Sequence, residues 1–216
     1  MSRKPARQPR PDGDNTRALI IDAAGELFGE HGYDGTTSKA ICERAQVNLA
    51  AINYYFGGRD GLYRAVLHEV HQRLMSVQTL EALIHHPLPL AEKLRRFYHH
   101  ITALLMDKDS WPLRLWAREL ISPSPFWNSV ENEEIRPKFD LLVQLVAELS
   151  GLDAEDPRLL QLALQIMAPC LAMMVAGSER HTPFRALFQE DSNQLAEQFH
   201  AFAVAGIKEV TQKSQK

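Results

Sequence analysis

The chain is expected to fold as an all-α protein, and three observations carry that expectation. Apolar residues recur every three or four positions over long stretches, prolines cluster between those stretches, and no run shows the apolar-polar alternation of a strand. In 216 residues, apolar side chains make up 45% and charged ones 24%, enough to bury a core and too apolar for general disorder. No internal repeat is visible.

Residues 1–13 hold Arg3, Lys4, Arg7 and Arg10 among Pro5, Pro9, Pro11 and Gly13 with no aliphatic cluster, which reads as a flexible basic arm. From Asp14 onward, Ile20, Ala23, Ala24, Leu27 and Phe28 fall at helical spacing, giving a first helix over about 14–31 that Gly32 closes. Thr36 and Thr37 are placed to cap a second helix over 38–45. Asn48 is placed to cap a third over 49–55, which Gly57-Gly58 ends. A fourth, from Arg59 to about Gln78, carries Leu62, Val66, Val70, Leu74 and Val77 on one stripe. Further helices fit 89–107, 111–121, 127–150, 155–178 and 190–210, with prolines at 87, 89, 123, 125, 157 and 183 between or near them. Within the fourth of these, Pro169 marks a bend in a buried helix.

Residues 38–55 match a helix-turn-helix, two helices joined by a short turn after a longer supporting helix, the arrangement that lays its second helix in the major groove of DNA. Ala51, Ile52 and Phe56 suit docking of that helix, whereas Asn48, Leu49, Asn53, Tyr54 and Tyr55 suit contact with phosphates and base edges. The run Leu27-Phe28, Gly32-Tyr33, Thr36-Thr37, Ile41, Ala45, Val47 and Tyr54-Tyr55-Phe56 resembles, over residues 14–66, the TetR family of bacterial transcriptional regulators. The stretch from Val47 to Gly57 is similar in particular to the CecR-like subgroup, whose members are linked to drug sensitivity and efflux.

The resemblance implies that Thr37, Tyr54 and Arg59 hold the DNA backbone. Their chemistry suits this: two hydroxyls can donate to phosphate oxygens, and a guanidinium can do so through two bonds at once. For base readout the candidates are Asn48, Leu49, Ala51 and Asn53, since an asparagine can pair bidentately with adenine. Asn48, Ala50 and Asn53 stand where the family more often has serine, glycine and tyrosine, so an operator sequence does not transfer from a relative.

Over residues 67–216 the resemblance implies a helical ligand-binding and dimerisation domain. The segment Leu159–Val175 is apolar on nearly all faces and is expected to be buried within one subunit or between two; the last helix, with Leu195, Phe199, Phe202 and Ile207, is expected to pair with its copy. A homodimer then reads an inverted-repeat stretch of double-stranded operator DNA. A small-molecule inducer needs apolar walls with few polar groups, for which Phe97, His100, Met106, Trp111, Leu115, Trp116, Trp127, Met167, Met173 and Met174 are candidates, each also ordinary core. The expected function is a ligand-responsive DNA-binding regulator, with repression the family default and release by a small apolar or amphipathic molecule.

Other classes are weaker. Nine histidines raise metal sensing, but His68 with His71, His85-His86 and His99-His100 are not completed by a cysteine or clear carboxylate set, so no metal is assigned. There is no nucleotide-cradling glycine loop, nucleophile elbow or zinc-protease signature, so no enzyme and no cofactor are expected. A helical interaction module with a degenerate DNA-binding part remains as a third reading. Cys42 and Cys170 are far apart and expected to be buried small hydrophobes. The nearly apolar run Ile166–Gly177 is about half of the ~20 residues that cross a bilayer, and no apolar segment follows the basic start, so a cytoplasmic protein that does not engage a membrane is expected. The net charge of −3 leaves DNA binding to a local basic patch.

Overall fold

Capping residues and turns divide the chain into α1 (Pro11–Gly35), α2 (Ser38–Ala45), α3 (Leu49–Phe56), α4 (Arg59–Met75), α5 (Val77–Ile84), α6 (Leu90–Leu105), α7 (Trp111–Ile121), α8 (Trp127–Val130), α9 (Arg136–Ser150), α10 (Arg158–Ser178) and α11 (Ser192–Gln212). These are the helices of a computed structural model that describes residues 11–107, 109–178 and 183–212, and no strand occurs among the described residues. The all-α expectation therefore holds.

Several boundaries differ from expectation for local reasons. Residues 1–10 of the expected arm lie outside the described residues, while Pro11–Gly13 already belong to α1, whose first turn tolerates a proline because its missing N–H has no intrahelical partner there. The helical path breaks at Gly32, with φ 73° and ψ 178°, a conformation that a side chain would strain. The fourth helix stops at Met75 because Ser76 leaves the helical region (φ −70°, ψ 157°) and its side chain accepts the Thr79 N–H, starting α5. Val77 thus opens a new helix instead of extending the old stripe.

The expected helix over 127–150 is continuous but widened by a π-helical turn, Glu131–Ile135, in which the Arg136 N–H reaches back to the Glu131 carbonyl. Pro137 follows directly, where a residue without an N–H cannot restore an ordinary ladder at once. Helix α10 starts at Arg158 and not at 155, because the Asp156 carboxylate accepts the Arg158 N–H at 2.9 Å and holds its guanidinium at 2.6 Å. Those bonds pull the Asp156 carboxyl down to about 2. A short 3-10 turn, Pro183–Gln189, precedes α11 and was not expected.

The chain forms two compact units, Met1–Glu69 and Val70–Lys216, and α4 runs through the boundary. In the first, Ile20, Ala24, Phe28, Ile41, Ile52, Leu62, Tyr63 and Val66 are buried, and each large aliphatic or Phe side chain among them contributes about 1.5–3 kcal/mol. Phe28 and Tyr63 meet edge to face at 4.6 Å, and Tyr33 closes on Tyr63 at 4.9 Å. Arg44 of α2 pairs with Glu26 of α1 at 2.6 Å.

In the second unit α11 lies along α6, and α10 packs against α6, α7, α9 and α11. Leu94, Tyr98, Leu145, Val146, Leu159, Ala163, Ile166 and Cys170 form the centre of its core. Beside Pro169, the Tyr98 hydroxyl donates to the Ile166 carbonyl at 3.0 Å, which satisfies a buried phenol, and burial raises its pKa. From Arg158 to Gly177, α10 is long and apolar enough, by length and composition, to cross a membrane. The shorter run counted from the sequence began at Ile166 and left out Leu159, Leu160, Leu162, Ala163 and Leu164. One face of this helix enters the core, and Leu160, Leu164, Ala168 and Ala172 of another are exposed.

Candidate nucleic-acid interface

Thr37 has extended backbone and caps α2, its Oγ1 accepting the Ala40 N–H at 3.2 Å. A hydroxyl that accepts in this way still has its own proton to donate, so the exposed Thr37 can cap and meet a phosphate together. Its neighbour Thr36 is buried instead, donating to the carbonyls of Gly32 at 2.8 Å and Leu27 at 3.1 Å. Thus one threonine locks the turn and the other faces out. Gln46, with φ 55°, closes α2 in the left-handed conformation, its N–H bonded to the Cys42 carbonyl.

Asn48 caps α3, and its Oδ1 accepts the Ala51 N–H at 3.0 Å. The amide NH₂ remains as donor. Leu49 is 53% exposed and Tyr54 83%, and with Ala50 and Asn53 they occupy one exposed face of α3. On the opposite side Ile52 is fully buried, while Ala51, Tyr55 and Phe56 are half-buried. Arg17 of α1 lies 5.5 Å over the Phe56 ring, which fastens the end of α3 to the supporting helix. Tyr54 and Tyr55 meet edge to face at 4.9 Å.

The structure therefore brings Asn48, Leu49, Asn53 and Tyr54 onto one accessible surface, with Thr37 exposed at the start of α2, and places Ala51 on the docked side. Ala50, which sequence reasoning passed over, is exposed in its stead; its position directly before Ala51 in the helix was the available signal.

Arg59 is half-buried, its guanidinium 4.0 Å from the Tyr33 ring centre and donating to the Tyr33 carbonyl. The Tyr33 hydroxyl in turn donates to Asp60 at 2.5 Å, and that bond raises the phenol above its ordinary pKa. In this conformation Arg59 braces the turn before α4.

The ligand candidates separate more sharply. Phe97, Trp111 and Trp116 are buried. Trp116 stacks on Trp127 at 5.6 Å and receives the His71 ring edge to face at 4.4 Å, and Arg73 covers Trp111 at 5.0 Å. His100 bonds through Nε2 to the Leu74 carbonyl at 2.8 Å, and Met167 is half-buried against the core. Of the ten candidates, Met173 and Met174 line a cavity of about 160 Å³ between α6, α7, α10 and the 3-10 turn. Among the described residues, no group of three or more His, Cys, Asp or Glu side chains gathers into a metal site.

Comparison with known proteins identifies the family. Residues 20–66 match the family model described as bacterial regulatory proteins, tetR family, and residues 90–207 match that of the C-terminal domain of the HTH-type transcriptional dual regulator CecR. The dual regulator CecR of Shigella flexneri is 30% identical over 199 residues, covering 86% of this chain and 88% of its own. Among solved structures, the fatty acid degradation regulator FadR of Bacillus halodurans superposes with a TM-score of 0.69 at 19% identity, covering 88% of this chain and 98% of its own. FadR of Bacillus subtilis, solved in complex with stearoyl-CoA, gives 0.68 at 20% identity with the same coverage of both chains. These two likenesses speak to the fold alone. With a matching model on each unit and a relative that spans most of the chain, the protein belongs to the TetR family of DNA-binding bacterial transcriptional regulators, within its CecR-like group.

Proposed function

We propose that this regulator works as a homodimer in the cytoplasm, binds an inverted-repeat operator through α3, and is released by a small molecule bound in its second unit. The observation that carries the reading is the exposed face of α3, where Asn48, Leu49, Asn53 and a largely uncovered Tyr54 stand clear of the core beside Thr37. Asn48 and Asn53 read base edges with Leu49 against thymine methyls, while Ala51 supports the helix at close range. Thr37 and Tyr54 donate to phosphates, and Arg59 joins them once it leaves Tyr33.

The domain reading follows, with the arm shortened to 1–10 because Pro11–Gly13 belong to α1: a DNA-binding domain up to 66 and a ligand-binding and dimerisation domain over 67–216. The exposed apolar residues of α10 and α11, Leu160, Leu164 and Phe202, supply the surface for pairing two copies. Two recognition helices related by a two-fold axis then reach half-sites about 34–36 Å apart. Ligand release requires the molecule to bind one arrangement of the two reading heads more tightly than the other, and α4, continuous through the boundary between units, is the element that carries the change. No catalytic step, cofactor or metal enters this account. The Shigella relative is a dual regulator, which favours a second reading in which the same protein activates some promoters and represses others.

The test is anisotropy titration of a duplex recovered by selection from random DNA. The reading expects two chains per duplex, affinity that falls as salt rises, and release by a compound that binds the free protein. Binding insensitive to salt, or one chain saturating a duplex, contradicts it.

A further inference from the structure

The cavity beside Met173 has a composition that selects a ligand class. Leu105, Leu113, Met173, Met174 and Phe188 form its apolar wall, and every lining residue belongs to the second unit. The wall is built closely: a Cβ placed on Gly177 would come within 3.0 Å of the Phe188 ring, so glycine at this position of α10 lets the ring of the 3-10 turn settle against the helix.

Two guanidinium groups line the same space, Arg114 from α7 and Arg185 from the 3-10 turn. Among the described residues neither has a carboxylate within ion-pair distance. Asp107 is the acidic lining residue, and its Oδ1 already accepts the Asp109 N–H at 3.1 Å. With both arginines and Asp107 charged, the lining carries one net positive charge. Arg114 is half-buried and Arg185 exposed, so the two guanidinium groups reach the apolar hollow from its solvent side, and a planar carboxylate matches the guanidinium fork.

Volume sets the size. At about 160 Å³ the hollow is close to a cavity of ~150 Å³ that holds one benzene ring, and well below the ~300–1,000 Å³ of pockets for drug-sized ligands.

We infer that this cavity binds a small monocarboxylate with a compact, ring-sized apolar body, the carboxylate held by Arg114 and Arg185 and the ring seated between Met173, Leu113 and Phe188. The inference rests on the reading that the second unit carries the effector site, and it names the chemistry of that effector.

Isothermal titration of the full chain with sodium benzoate tests it, with benzamide as the neutral molecule of the same shape. Benzoate is expected to bind at least about tenfold more tightly than benzamide, the ratio for losing a charge-assisted pair. Arg114→Gln should remove that preference and leave benzamide affinity unchanged. Ala176→Met, which fills the hollow from α10, should weaken both ligands. Melting curves and operator titration on each variant separate a local loss from misfolding. Equal affinity for benzoate and benzamide, benzoate binding that survives Arg114→Gln and Arg185→Gln together, or no benzoate binding up to about 10 mM overturns the assignment. Benzoate that binds as expected but leaves operator affinity unchanged supports the site and contradicts release as its consequence. If operator binding fails while benzoate binding holds, the DNA reading falls and the ligand site stands.

Discussion

Asn48 has one side-chain oxygen for two tasks. It caps α3 by accepting the Ala51 N–H, and a bidentate reading of adenine uses both the oxygen and the amide donor. Replacing Asn48 with Asp keeps a good cap and removes the donor. The expected result is a melting temperature within about 2 °C of wild type and operator affinity lowered at least about tenfold, the loss of one base contact with added repulsion from phosphates. Wild-type affinity for Asn48→Asp would leave Asn48 as a cap only. Tyr54→Ala should act likewise, since a side chain 83% exposed contributes within about 0.5 kcal/mol to stability. The thiols offer a separate check. Cys170 is buried, its pKa pushed up to about 12 by desolvation, whereas Cys42 is only half-buried where the sequence suggested full burial. A thiol reagent should modify Cys42 in the native protein and reach Cys170 only on unfolding. Residue type and spacing placed Asn48, Leu49, Asn53 and Tyr54 on the outer face as observed, but also Tyr55, which the structure turns half-buried toward the Ile52 side. They did not separate Ala50 from Ala51, because two adjacent alanines give no polarity from which to judge the angle at which α3 docks.

Between elements, the seam of α6 and α11 is closed by charge as well as by apolar burial. Glu197 of α11 accepts from His99 at 2.7 Å and from Arg95 at 2.7 Å, both on α6. The His99 bond first, then Arg95, holds the Glu197 carboxyl below its ordinary range. Its folded pKa is thus depressed, so its contribution to stability is complete above the unfolded value near ~4.3 and is lost as pH falls through the folded value. Melting temperatures across that acid range should fall more steeply for the wild type than for Glu197→Gln, and parallel curves would show that the seam does not depend on this carboxylate. The pair of helices was legible from apolar periodicity. The seam was not, because partners about a hundred positions apart leave no trace in local spacing. The same limit explains the missed break at Ser76: one capping residue ends a helix without shifting the apolar period, so α4 and α5 read as one. The π-helical turn at Glu131–Ile135 adds a residue inside a helix, which a periodic count absorbs as drift.

At the scale of the molecule, the exposed side chains of α10 and α11 decide whether the chain acts alone. Phe202 is 78% exposed on α11, beside Pro169 and Phe199 in a shallow apolar hollow. A side chain of this size in water is the kind of feature that marks a contact between proteins. Phe202→Glu should leave helicity unchanged, yield a monomer by sedimentation, and weaken operator binding through loss of the second reading head. A dimer that persists moves the interface elsewhere. The existence of a DNA-reading unit followed by a helical one was legible from the motif and the glycine and proline punctuation. The cavity was not: of the aromatic and methionine candidates, most are plain core, and Arg114 and Arg185 were passed over because apolarity, not an unpaired charge, was the signal sought. The central claim is that α3 reads an operator with two-fold symmetry. Selection from a random duplex pool by the purified full chain tests it most directly. Enrichment of an inverted repeat whose half-sites lie about one helical turn apart is the predicted result; recovery of no sequence, or of a single half-site with no symmetric partner, would contradict it.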